Sequence, residues 1–112
     1  MINTELPFRM QDVLPVVGGP ATIYAYSDRY PGTVQSVTDK EIIITEDKYE
    51  RIDNNGMSES QEYEYTSNPY GRRFVFRKVR SGRCRGQWRE NGLTTGMPVN
   101  FSYRQKYYNP SF

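Results

Sequence analysis

The sequence contains no histidine and only one cysteine, Cys84. A lone cysteine cannot form an internal disulfide, and the usual nitrogen and sulfur ligands of zinc, haem and iron–sulfur sites are missing. The side chains that most often perform acid–base and nucleophilic catalysis are missing with them. We therefore expect a protein without a cofactor, which binds and holds a ligand rather than an enzyme that transforms one.

Standard ion- and nucleotide-binding motifs are also absent. The sequence has no glycine-rich Walker loop and no dinucleotide-binding fingerprint. Residues 53–56 superficially match a calcium loop, but the alternating oxygen ligands and the distal glutamate do not fall in register. We predict no metal site. Since neither a signal peptide nor a membrane-spanning run is recognisable, we expect a cytoplasmic protein with no membrane partner.

Aromatic residues are plentiful in spite of the low overall hydrophobicity. The 112 residues include 10 Tyr, 5 Phe and 1 Trp, although only 36% of the chain is hydrophobic. Large rings bury much area per side chain, so the core is predicted to be thin and aromatic. A chain of this length fits one domain, and association with further copies would bury more apolar surface. We expect a homo-oligomer.

Short β-rich runs dominate the sequence from residue 21 onward. Residues 22–26, 33–37 and 41–45 are separated by polar corners at 27–32 and 38–40. Residues 62–66 and 72–79, joined by a turn at 68–71, are predicted to pair as a hairpin, and residues 99–103 form a last strand. No helix is predicted. The expected fold class is all-β or mainly β, a small antiparallel meander that forms an SH3-like or open barrel.

Two segments do not fit this strand pattern. Residues 1–20 hold three prolines and the pair Gly18-Gly19, which predicts an extended N-terminal arm ahead of a single β-rich ligand-binding domain at 21–112. Residues 46–61 have almost no aliphatic positions. They are predicted to form a long exposed loop, or alternatively the loose end of a hairpin.

Charge is distributed unevenly along the chain, although the net charge is only +2. Acids outnumber bases between residues 39 and 64, whereas residues 72–89 contain eight basic residues and no acid. Arginines also alternate with aromatic residues, and such pairs suit nucleotides because rings stack on bases and guanidinium groups bind phosphates. The same alternation is typical of an ordinary strand with one solvent-exposed face, so both interpretations stay open.

Several sequence blocks carry a resemblance to a known family. They are IDNNGMSESQEYEY at residues 52–65, NPYG at 68–71 and YYNPSF at 107–112, and YSDR at 26–29 extends the match to roughly residues 21–112. This pattern resembles the first family of Thoeris anti-defence proteins, phage-encoded sponges for the signalling nucleotides of bacterial immunity. The resemblance implies a β-rich homo-oligomer built from dimers, in the cytoplasm of an infected bacterial host. It would capture cyclic ADP-ribose isomers without cleaving them and bind cyclic oligonucleotides at separate pockets.

The candidate ligand-binding residues follow from the chemistry of such a ligand. Cyclic ADP-ribose carries a pyrophosphate, ribose hydroxyls and an adenine, so its site needs cations, amide donors and an apolar or stacking surface. The candidates are Arg29, Arg51 and Arg104 for the phosphates, Asn55 for ribose or base edges, and Met57, Phe74 and Phe76 for the adenine. The alternative role of each arginine is a solubilising charge, and that of each phenylalanine is a core position.

Two other binding functions remain open from the sequence, and so does an enzyme that acts on a nucleotide through arginines and carboxylates alone, which would show turnover. A small β-barrel module could bind RNA or single-stranded DNA through residues 72–89, and such binding would weaken steeply with salt. A phage assembly protein would use the arm and the charged strands to contact other proteins, and it would bind no small molecule.

Overall fold

The computed structural model describes residues 14–54, 56 and 61–107, and all the regular structure in these residues is β. The eight strands are β1 (Pro20–Tyr24), β2 (Arg29–Val37), β3 (Ile42–Glu46), β4 (Lys48–Arg51), β5 (Tyr63–Thr66), β6 (Arg73–Lys78), β7 (Trp88–Glu90) and β8 (Val99–Asn100). The predicted all-β fold class is confirmed. In the same residues, nothing forms a helix long and apolar enough to cross a membrane.

The main sheet has six strands in the order β7-β6-β3-β2-β1-β8, and its pairings are antiparallel. Its two edges meet, because Arg89 of β7 forms a bridge with Pro98, and the Glu90 N–H donates to Met97 O at 3.1 Å. The sheet is thereby nearly closed into a barrel, which leaves little unpaired edge. Strands β4 and β5 form a separate two-stranded sheet.

The core is built from alternate residues of the barrel strands, as the two-residue period of a strand requires. On the neighbouring strands β3 and β6, Ile42 pairs with Phe76 and Ile44 pairs with Phe74, and all four side chains are buried. The buried core comprises Ala21, Ile23, Val34, Ile42, Ile44, Phe74, Phe76, Trp88, Val99 and Phe101. Six of these ten residues are aliphatic and four are aromatic, so the core is mixed rather than mainly aromatic as the composition predicted.

The first corner is shorter than predicted, because Pro31 and Gly32 lie inside β2 rather than in a turn. The Pro31 carbonyl accepts a hydrogen bond from the Asp47 N–H at 2.9 Å. The N–H and C=O of one strand residue point to the same side of the strand. The backbone N–H that Pro31 lacks would therefore also face β3, one residue beyond the last β2–β3 pair, Gly32 with Glu46. A proline is tolerated there because the one bond that it cannot make lies at the end of the β2–β3 ladder.

The predicted hairpin between residues 62–66 and 72–79 is wrong. Strand β5 pairs with β4, with Tyr65 opposite Tyr49, whereas β6 pairs with β3. The physical reason is burial: Phe74 and Phe76 are fully inside the barrel and pack on aliphatic residues of β3, while the tyrosines of β5 are half-buried. If β5 had paired with β6 as predicted, its half-exposed tyrosines would not have covered the rings of Phe74 and Phe76.

The remaining boundaries differ from the predictions in three places. Residues 48–51, assigned to the long loop, form β4, whose signal was weak because three of its four side chains are exposed. The last strand covers only residues 99–100 of the predicted 99–103. At the end of the predicted arm, Gly18 and Gly19 extend the pairing with β2, since the Gly18 N–H donates to Val34 O at 2.8 Å. Residues 1–13 lie outside the described residues.

Candidate functional site

A cleft of about 380 Å³ opens between the start of β5 and residues 103–106. We call it the tyrosine cleft. Its lining combines three tyrosines, two cations and polar side chains: Tyr63, Tyr65, Tyr103, Arg104, Lys106, Gln61, Glu62 and Gln105, with Ile52 at the margin. Its volume lies within the range of small-molecule sites.

The aromatic wall of the tyrosine cleft follows from the strand period of β5. Tyr63 and Tyr65 are two residues apart and share one face, where their rings stack with centroids 6.4 Å apart. Tyr49 of β4 packs edge-on against Tyr63 at 5.8 Å. The Tyr103 hydroxyl is hydrogen-bonded to that of Tyr24, which ties the facing segment to the barrel. The rings are therefore held in place from both sides of the cleft.

Arg104 is anchored by a buried polar cluster behind the cleft. Its Nε lies 2.9 Å from Asp47 Oδ2, and its Nη2 donates to Thr33 Oγ1 at 3.1 Å. The Thr33 hydroxyl donates in turn to Asp47 Oδ1 at 2.6 Å. The Asp47 side chain is 0% exposed, whereas that of Arg104 is 29% exposed. Arg104 is thus fixed on its inner side and reaches the cleft with its outer side.

The buried carboxyl of Asp47 is electrostatically the most constrained group of this cluster. Burial raises its pKa, while the Thr33 hydrogen bond and the Arg104 charge oppose that rise. A buried carboxylate needs such partners because leaving water costs it several kcal/mol, on the order of the values found for buried ions. Asp47 and Thr33 therefore set the position of Arg104.

Lys106 supplies the second cation, and it lies between two aromatic rings. Its Nζ is 4.9 Å from the Tyr30 ring centroid and 5.2 Å from that of Tyr49. The Lys106 backbone N–H donates to the Tyr65 hydroxyl at 2.8 Å. Burial lowers the pKa of the Lys106 amine, an effect that Asp28 and Glu46 oppose. Cation–π contacts favour the ammonium form, so the geometry supports a positive charge at the back of the cleft.

The other two predicted phosphate ligands lie near the tyrosine cleft but do not line it. Arg29 donates to Gln105 Oε1 at 2.7 Å, and its guanidinium lies over the rings of Tyr24 and Tyr107. Arg51 pairs with Asp53 at 2.8 Å on the hairpin side. Of the three predicted arginines, the structure brings only Arg104 into the cleft.

The predicted adenine contacts need correction. Phe74 and Phe76 are 2% and 0% exposed and belong to the barrel core, so they present no surface to a ligand. This is the alternative role that the alternating pattern of β6 allowed. Asn55 and Met57 lie outside the described residues.

Sequence reasoning missed the tyrosines and Lys106 as site residues. The alternation Glu62-Tyr63-Glu64-Tyr65 was visible, and it places both tyrosines on one strand face. Their partner strand was misassigned, so the cleft against residues 103–106 was not foreseen. Lys106 carries no local signal, because its burial depends on Tyr30 and Tyr49 from distant strands.

A second, larger cleft of about 620 Å³ lies at another part of the barrel. Its cations are Lys40, Arg77, Lys78 and Arg80, and its lining shares no residue with the tyrosine cleft.

In the part of the chain that the structure describes, no group of three or more metal-ligating side chains forms a metal site. No model of a known protein family, no curated protein and no solved structure matches this chain.

Proposed function

We propose that the protein captures an anionic cyclic nucleotide, of the cyclic ADP-ribose class, in the tyrosine cleft and holds it without cleaving it. The observation that carries this proposal is the juxtaposition of two anchored cations, Arg104 and Lys106, with the stacked rings of Tyr63 and Tyr65. Cations suit a pyrophosphate and rings suit an adenine. The resemblance to the first family of Thoeris anti-defence proteins supports the same ligand class and a phage origin.

Each part of such a ligand has a matching group in the cleft. The partly exposed guanidinium of Arg104 suits the pyrophosphate, and the buried Lys106 adds positive charge behind it. The amide side chains of Gln61 and Gln105 suit ribose hydroxyls. A sponge has to outcompete a receptor, which requires roughly micromolar to nanomolar affinity, or about −8 to −12 kcal/mol. Anchored side chains favour such affinity because little conformational entropy is lost on binding.

The proposal includes no turnover. Among the described residues that line the cleft, the only carboxylate is Glu62, and Asp47 is committed to holding Arg104. A single exposed carboxylate has no second carboxylate to act as its acid or base partner. The cleft is accordingly suited to binding rather than to breaking a glycosidic or phosphoanhydride bond.

We further propose that the protein is a homo-oligomer built from dimers. Leu14, Val16 and Val17, which lead into the barrel, are largely exposed. A contiguous apolar segment of this kind is typical of an interface between chains. Light scattering of the purified protein should give an even multiple of 13.1 kDa, and a mass of one chain or of an odd number of chains would contradict the proposal.

Replacement of Tyr63 by leucine should weaken binding of cyclic ADP-ribose isomers about tenfold, since one stacking contact with a base contributes about 1–3 kcal/mol. Isothermal titration of the purified variant measures the change. Tyr26→Leu is the matched control, because Tyr26 is 97% exposed and lies outside the cleft. Equal affinities of the two variants would contradict the location of the site.

A gain of affinity provides a test that misfolding cannot imitate. Glu62 is the acid in the cleft, and Glu62→Gln removes its repulsion of an anionic ligand. We expect binding about threefold tighter at low salt, because a partly screened charge contributes less than about 1 kcal/mol. Glu64→Gln removes the same charge two residues along the strand, outside the cleft lining, and should leave the affinity unchanged.

A further inference from the structure

Of the eight basic residues at positions 72–89, seven are exposed and one, Arg89, is half-buried. Arg72 lies over the rings of Tyr30 and Phe74, and Arg89 donates to Gln87 Oε1 and to two backbone carbonyls. The others form what we call the basic surface: Arg73, Arg77, Lys78, Arg80, Arg83 and Arg85. Within the described residues, Arg77 alone among these six has an ion pair, with Glu41 at 2.7 Å.

The loop that carries half of the basic surface has a defined conformation. Its Val79 and Cys84 side chains are buried, which fixes the loop to the barrel. The Val79 N–H donates to Gln87 O and the Gly86 N–H donates to Val79 O, both at 2.9 Å. The intervening arginines, at positions 80, 83 and 85, are consequently displayed outward from a hydrogen-bonded frame.

The basic surface borders the larger cleft of about 620 Å³, to which Arg77, Lys78 and Arg80 contribute together with Lys40. Arg77 also lies directly opposite Arg89 across β6 and β7. Like charges in register repel each other. The four cations that line this cleft outnumber its two acids, Asp39 and Glu41, so a positive field remains at this face. A bound polyanion would remove that repulsion.

We propose that the basic surface binds single-stranded nucleic acid, with successive phosphates along β6 and the 79–87 loop. Strand β6 from Arg73 to Lys78 extends about 17 Å, and the loop continues the track, which suits several consecutive phosphates rather than one. Tyr70, in the turn ahead of β6, is 95% exposed and offers a ring on which a base stacks. This site shares no residue with the tyrosine cleft, so it succeeds or fails independently of the function proposed above.

The test is fluorescence anisotropy of the full chain with a fluorescein-labelled single-stranded dT20 and, in a parallel arm, U20 RNA. With about four phosphates contacted, the affinity should fall about 50-fold when the salt concentration rises from about 50 mM to 200 mM. Binding should also strengthen from a six-nucleotide to a twenty-nucleotide strand. The DNA and RNA arms show which backbone is preferred.

Variants locate the binding on the protein. The triple variant Arg80→Gln, Arg83→Gln, Arg85→Gln should reduce the slope of log affinity against log salt by about 2, since each single-strand phosphate contact contributes about 0.7. These side chains are exposed, so the fold should persist. A matched pair compares Arg80→Gln, expected to weaken binding, with Lys48→Gln, which removes one exposed cation from β4 and should not.

Three results would overturn the proposal. They are binding that the triple variant leaves unchanged, affinity that does not depend on strand length, and polyglutamate that competes as well as dT20 at equal charge. The second result would indicate a pocket for a short oligonucleotide, and the third would indicate an acidic protein as the partner.

Discussion

Replacement of Phe76 by alanine should lower the free energy of unfolding by about 3–5 kcal/mol, the usual cost of emptying a buried phenylalanine position. Phe76 is 0% exposed and lies in β6 at the centre of the barrel, opposite Ile42 of β3 and Glu90 of β7. Since small domains have only about 5–15 kcal/mol of stability, the variant should be marginally folded. Urea unfolding followed by tryptophan fluorescence measures the change, because Trp88 belongs to the same core.

Val75→Ala is the control for this substitution. Val75 is the neighbour of Phe76 on the same strand but is only half-buried on the outer face, so its truncation should cost about 1 kcal/mol or less. Equal effects at the two positions would mean that the ring does not lie in the core. In that case the discarded role of Phe76 as an adenine contact would have to be reconsidered.

The second large effect is expected for Arg104→Gln, which should lower the free energy of unfolding at pH 7 by about 3 kcal/mol. Breaking a buried ion pair commonly costs about 3–5 kcal/mol because one charge is left unpaired. The lower value applies here because Arg104 is partly exposed, although Asp47 is not. The stability is lost because the buried Asp47 carboxylate is left without its cationic partner. The variant Asp47→Asn in the Arg104→Gln background should therefore recover most of the lost stability.

The stability deficit of Arg104→Gln should also depend on pH. Burial already raises the pKa of Asp47 above its ordinary value of 3.8, and removing Arg104 takes away a charge that opposes this rise. A group with a raised folded-state pKa stabilises the protein fully below its unfolded pKa, and this contribution is lost as the pH rises through the folded pKa. The deficit relative to the unmodified protein should thus shrink as the pH falls from 7 toward 4. A deficit that is constant over this range would contradict the explanation.

The sequence predicted the fold class better than the pairing of strands. The β-rich runs at residues 41–45 and 72–79 were enough to indicate strands, and Ile42, Ile44, Phe74 and Phe76 within them belong to the core. The position of β4 was not predictable in the same way, because its side chains are mostly exposed and it pairs with the equally polar β5. The spacing of hydrophobic residues carries little information about the position and pairing of a strand when neither of its faces is buried.

The candidate site was only partly accessible to sequence reasoning. Arg104 was identified from its chemistry, but the roles of Asp47 and Thr33 depend on contacts between β2, the end of β3 and the C-terminal segment. The phenylalanines were ambiguous, because an aromatic residue on a strand suits either a core or a ligand. Only the register between β3 and β6 decides between the two.

If the protein captures a cyclic nucleotide intact, as we propose, heat denaturation should release that nucleotide unchanged. The purified protein is incubated with cyclic ADP-ribose isomers and with cyclic di- and trinucleotides, freed of unbound ligand and heat-denatured, and the supernatant is analysed by chromatography and mass spectrometry. We expect an intact cyclic ADP-ribose isomer, in an amount that falls for Tyr63→Leu and not for Tyr26→Leu. Recovery of no nucleotide, or of a chemically altered one, would contradict the proposal.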